Sequence, residues 1–131
     1  MTLEKPNKHD NGLTDEEFER YFERSTPVLF AFHGYPQLIK SLIYHRENKN
    51  FHIRGYNEEG SITTPFDMRV QNKIDRYHLA MTAANYIPMN YDIEELNKYC
   101  MDMLDKHNKY IEEYGIDMEE ILNWEWDSEE I

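Results

Sequence analysis

The longest unbroken apolar run in the chain is Pro27 to Phe32, PVLFAF, which leaves no polar side to face water. Such a run predicts a short strand buried on both faces, as in a parallel sheet. His33-Gly34-Tyr35-Pro36 interrupts it, with a glycine suited to a turn and a proline suited to the first position of a helix. Leu38, Ile39, Leu42 and Ile43 then recur at helical spacing, with Lys40, Ser41 and Tyr44 off that face. After the polar turn Glu47-Asn48-Lys49-Asn50, residues Phe51 to Tyr56 alternate: Phe51, Ile53 and Gly55 on one side, His52, Arg54 and Tyr56 on the other. A helix between the two strands predicts that they run parallel, joined by a right-handed crossover.

The remaining pattern is helical. Thr14 and Glu17 have the spacing of a capping box, and Leu13 and Phe18 that of a hydrophobic staple across it. Phe18, Tyr21 and Phe22 give that short helix its apolar side, and Ser25-Thr26-Pro27 ends it. Thr64-Pro65-Phe66-Asp67 opens a second segment as cap, first-turn proline and an acid near the positive end. Asp75 can cap a third, with Tyr77, Ala80, Met81, Ala84 and Ile87 on one face until Pro88 stops it. The longest begins after Asp92, with the stripe Ile93, Leu96, Cys100, Met103, Leu104, His107, Ile111 and Tyr114 and a terminal Gly115. Asp117 is placed to start a final turn carrying Met118, Ile121 and Leu122 towards Trp124 and Trp126.

Composition narrows the class. The 131 residues suit one α/β domain, with a loop or linker over residues 1–12, the domain over 13–126 and an acidic tail over 127–131. Net charge is −12, and the last twenty residues hold nine acids and no Lys or Arg, leaving −3 for the rest. That argues against a nucleic-acid partner, whose phosphates need a basic face. The polar start MTLEKPNKHDNG and the lack of an apolar run near the roughly 18 residues of a span argue against a membrane partner. A single cysteine, Cys100, rules out an internal disulfide and fits a reducing, cytoplasmic setting.

Two parallel strands make a poor free-standing sheet, since their outer edges stay bare. More strands are therefore expected from a partner or from further chain. In order along the sequence stand Phe32-His33-Gly34-Tyr35-Pro36, Arg54-Gly55-Tyr56 with Glu59-Gly60, Thr63-Thr64-Pro65-Phe66-Asp67-Met68, and Asp75-Arg76-Tyr77-His78-Leu79. With Gly12 to Phe18 upstream and Asn123-Trp124-Glu125-Trp126 downstream, this succession resembles the C-terminal domain of bacterial xylulose-5-phosphate/fructose-6-phosphate phosphoketolases. Gln37, where that family usually has tryptophan, and Ser61-Ile62, within a run of threonines, depart from its pattern.

The resemblance implies a partial transketolase C-terminal-like layer: a short, mostly parallel sheet flanked by helices, with a helical C-terminal half. The opening strand–helix–strand would lie upstream, Met1-Thr2-Leu3 being its last trace. It further implies a thiamine diphosphate- and Mg2+-dependent parent that cleaves xylulose 5-phosphate or fructose 6-phosphate with phosphate, giving acetyl phosphate and an aldose phosphate. In that parent, N-terminal and middle domains hold both cofactors and the protein forms a homodimer or larger assembly. The present chain is expected to bind neither cofactor and to be inactive alone. The alternative is a free-standing interaction module or truncated remnant that docks on other subunits or binds an anionic metabolite.

Candidate sites are few. His33, Gly34 and Tyr35 follow the carboxyl end of the first strand, where open α/β sheets receive ligands. His52 and Arg54 share the polar face of the second strand, and His45-Arg46 end the intervening helix. These residues are a candidate anion-binding or interdomain surface. Each also has a structural explanation: His33 as a loop cap, Gly34 as a turn, His45-Arg46 as cations at a helix C-terminus, Arg54 paired with Glu58 or Glu59. No metal ligands are expected, because the six histidines are scattered. Cys100, on an apolar stripe, reads as a small buried hydrophobe.

Overall fold

The computed structural model describes residues 2–57, 60, 62–87 and 92–125. The chain divides into two compact units, Met1–Glu58 and Glu59–Ile131.

The first unit opens with a loop closed by a bridge between Thr2 and Gly12. Leu3 of that loop packs against the unit's core, so the segment contributes apolar surface that its polar composition hides. Helix α1 (Asp15–Tyr21) starts on the expected capping box: Thr14 Oγ1 accepts from Glu17 N at 3.1 Å, and Glu17 Oε2 accepts from Thr14 N at 2.9 Å. Strand β1 (Val28–Ala31), helix α2 (Pro36–Ile43) and strand β2 (Phe51–Arg54) follow. β1 and β2 pair in parallel, Val28 opposite Phe51 through Ala31 opposite Arg54. Leu13, Phe18, Ile39 and Ile43 form the buried core, with Phe30, Phe32, Phe51 and Ile53 against it.

Two expectations fail here. β1 is half-buried and ends in an exposed Ala31, not buried on both faces. Among the described residues the sheet has two strands, too few to cover both sides of either. Leu38 is 57% exposed although it shares the apolar spacing of α2, because the helix buries the side carrying Ile39 and Ile43.

The second unit is helical. Helix α3 (Pro65–Gln71) is capped by Thr64, α4 (Arg76–Ala84) by Asp75 and α5 (Ile93–Tyr114) by Asp92, each side chain accepting first-turn N–H groups as expected. Gly115 closes α5 in the left-handed conformation, φ 68°. The core joins Val70, Tyr77, Cys100, Met103, Leu104, Met118 and Ile121. The stripe of α5 is buried in its middle, at Cys100, Met103, Leu104 and His107; Leu96 and Tyr114 near its ends are exposed, as is Ile87 beyond α4. A 22-residue helix outruns the short elements packed on it.

The last helix, α6 (Glu119–Leu122), has Met118 at its cap, with no side-chain cap bond. Asp117 is instead buried, accepting the Thr64 hydroxyl at 2.5 Å. Pro88, Trp126 and the acidic tail 127–131, all named from the sequence, lie outside the described residues.

Candidate functional site

At the carboxyl ends of β1 and β2 the two segments stay paired beyond the strands. Phe32 N donates to Arg54 O at 3.3 Å, and Tyr56 N donates to Gly34 O at 2.8 Å. Gly55 sits in the crossing: a Cβ there would lie 2.3 Å from Gly34 O and 2.7 Å from the Pro36 ring. Glycine is required by this close approach. The His33 ring stacks on Tyr56 with centroids 4.6 Å apart and planes 16° apart.

The structure thus brings His33, Gly34 and Arg54 to one end of the sheet. Tyr35, the N-cap position of α2, makes no side-chain cap bond and is 60% exposed. His52 lies two residues back along β2, opposite Leu29, and is half-buried. Glu58 and Glu59, considered as partners for Arg54, are outside the described residues. The imidazole at this edge has a phenol ring face-on as its neighbour. That arrangement can pack against a surface or meet an anion.

Arg46 leaves the surface group suggested by the His45-Arg46 pair. It is 1% exposed, and its guanidinium donates to the carbonyls of Leu3, Glu4 and Leu13 at 2.8–2.9 Å and to Asp15 Oδ1 at 2.8 Å. It also lies 4.5 Å above the Phe18 ring. Asn48, read as a turn residue, is buried too, its amide donating to Glu23 O and Thr26 O. Both side chains hold loops in place.

The second unit holds polar groups that the sequence reading treated as caps or core. Asp67 accepts from Thr63 Oγ1 and Gln71 Nε2, both at 2.7 Å, and its other oxygen lies 3.1 Å from Nε2 of fully buried His107. The helical spacing of His107 with Cys100, Met103 and Leu104 was the signal that it would be inside; a buried imidazole then needs a polar partner. Asp75 accepts from Tyr77 N and His78 N through Oδ1, and Oδ2 lies 2.5 Å from His78 Nδ1. Burial, and secondarily the charge of Asp75, pushes the Cys100 thiol above its ordinary value, keeping it protonated. Among the described residues no group of three or more His, Cys, Asp or Glu side chains could hold a metal ion. No helix among them is long and apolar enough to cross a membrane.

A parallel strand–helix–strand unit and a helical unit of this kind place the protein in the α/β class. A family model described as XFP C-terminal domain matches residues 1–126, and the chain belongs to that family. It is 46% identical over 127 residues to "Probable phosphoketolase" of Pediococcus pentosaceus and 48% identical over 127 residues to that of Clostridium acetobutylicum. Its identity to "Probable phosphoketolase" of Brucella abortus is 47% over 128 residues. Each match covers 96% of this chain and 16% of the relative, so the chain spans about a sixth of the length of these proteins.

Proposed function

We propose that this chain is the C-terminal part of a phosphoketolase, an aldehyde-lyase of carbohydrate metabolism. The parent reaction would cleave xylulose 5-phosphate or fructose 6-phosphate with phosphate, to acetyl phosphate and an aldose phosphate. The observation that carries the reading is the family match over residues 1–126 together with 46–48% identity to phosphoketolase relatives.

The role of this chain in that enzyme is to dock. Its residues do not fit thiamine diphosphate or Mg2+. The turn after β1 offers a single glycine where a diphosphate cradle needs several, and the His33 ring is stacked on the Tyr56 phenol. Both cofactors belong to the N-terminal and middle domains, in a homodimeric or larger cytoplasmic enzyme. The edge formed by His33, Gly34, Tyr35, His52 and Arg54 is the proposed surface towards those domains or towards an anion. The half-buried β1 and exposed Tyr35 support a face made to be covered.

Two measurements test this. The chain supplied with thiamine diphosphate, Mg2+, phosphate and either sugar phosphate is expected to give no acetyl phosphate; turnover would overturn the docking role. A phosphoketolase lacking this region is expected to capture the chain, and Tyr35→Ser to weaken capture about tenfold. Failure of the unaltered chain to bind would refute the reading.

A further inference from the structure

Arg76, the first residue of α4, has no carboxylate partner among the described residues. The carbon of its guanidinium lies 4.7 Å from the Trp124 ring centre, 4.9 Å from Tyr77 and 5.2 Å from Phe66. Nη2 donates to Tyr77 Oη at 3.1 Å, while Nε is buried and unpaired. Aromatic faces stabilise the charge but provide no acceptor in the guanidinium plane. The position is adverse as well, since a cation at a helix N-terminus opposes the dipole.

The same side chain lines a cleft of about 460 Å³, a volume suited to a small ligand. Arg69 stands on the wall as a second cation, and Asp75 and Asp117 as two carboxylates. Both acids are already engaged, Asp75 by the first turn of α4 and His78, Asp117 by the Thr64 hydroxyl. Two cations and two anions leave the wall without net charge, so attraction for an anion must come from local geometry at one arginine rather than from overall charge. A single carboxylate fits better, because its two oxygens match the planar fork of an arginine. The rest of the wall, including Ile121, Leu122 and Trp124, suits an apolar body.

We propose that this cleft binds a small monocarboxylate with an apolar or aromatic body, its carboxylate on Arg76 and its body against Trp124 and Phe66. The cleft uses none of the residues of the proposed docking edge, which lies in the first unit, so the two proposals are tested on separate residues.

The test titrates the 131-residue chain with 3-phenylpropionate, the neutral 3-phenylpropanamide and phenyl phosphate, following heat of binding and the Arg76 Nε–H resonance. Saturable binding of the acid is expected, with a shift of that resonance and affinity about tenfold above either analogue. Arg76→Lys keeps the charge but loses the fork, and is expected to weaken the acid about tenfold. Should that variant not fold, Trp124→Leu replaces it, with weaker binding expected there too. Equal affinity for the amide, tighter binding of phenyl phosphate, unchanged affinity in the folded variant, or no saturation by about 10 mM would each overturn the proposal.

Discussion

Gly55 and Gly34 cross so closely that a single methyl group on Gly55 would lie 2.3 Å from the Gly34 carbonyl oxygen. That carbonyl accepts Tyr56 N at 2.8 Å, so neither strand end can move aside without losing the bond. Gly55→Ala is therefore expected to destabilise the first unit by about 2–3 kcal/mol, as overpacking against backbone does. Urea unfolding checks this; a loss under 0.5 kcal/mol would show that the crossing is slack.

Arg46 ties the entering loop to the α1–β2 core through three carbonyls and Asp15. Removing it leaves the buried Leu13 carbonyl and the part-buried Leu3 and Glu4 carbonyls without their donor. Arg46→Met is expected to cost about 3 kcal/mol, with the loop before Leu13 becoming the first site of protease cutting. Wild-type stability and cutting pattern in this variant would show the guanidinium to be dispensable.

The features that follow from neighbours in sequence were legible there. The caps at Thr14, Thr64, Asp75 and Asp92, the αL Gly115 and the parallel pairing of β1 with β2 depend on residues a few positions apart or on one connecting helix. Arg46 was not legible, because the carbonyls it holds lie 33 to 43 positions away and carry no side-chain signature. Leu38 shows the complementary failure: spacing fixes which residues share a face, whereas packing selects which part of that face is covered. At the strand ends, the meeting of His33 with the Arg54–Tyr56 turn follows from parallel pairing, but the Gly34–Gly55 contact depends on turn geometry. The Arg76 cleft escaped because its aromatic walls, Phe66 and Trp124, come from segments far apart in the sequence.

Asp67 joins α3 to α5 by its contact with His107 while holding Thr63 and Gln71. Truncation leaves Nε2 of fully buried His107 without its partner, while the half-buried Thr63 hydroxyl and the exposed Gln71 amide can turn to water. Asp67→Ala is expected to cost about 2–4 kcal/mol, more than Thr64→Ala, which removes a helix cap worth about 1 kcal/mol and the hydroxyl bond to Asp117. Chemical denaturation of both variants gives the order. The reverse order would mean that the Thr64–Asp117 bond, not the Asp67 cluster, holds α3 in place.

The acid limb of stability should be set at the start of the first unit. The Lys5 ammonium, and then the Arg46 guanidinium, hold the Asp15 carboxyl below its ordinary value of 3.8. The Thr14 backbone N–H, and then its side chain, hold Glu17 below 4.5. Both groups bind protons more readily in the unfolded chain, so the folded form gains from them above these ordinary values. The gain is lost as pH falls through 4.5 and 3.8 towards the lower folded values. Melting temperature is thus expected to be flat in these groups from pH 7 to about 5 and to fall below that. Glu17→Gln, which keeps an acceptor for Thr14 N but cannot titrate, should fall less steeply than the parent. Because both carboxyls are exposed, about 0.15 M salt should flatten the Asp15 contribution, which rests on cations, more than the Glu17 contribution, which rests on the backbone bond. Parallel acid limbs for the parent and Glu17→Gln would assign the pH dependence to other carboxyls.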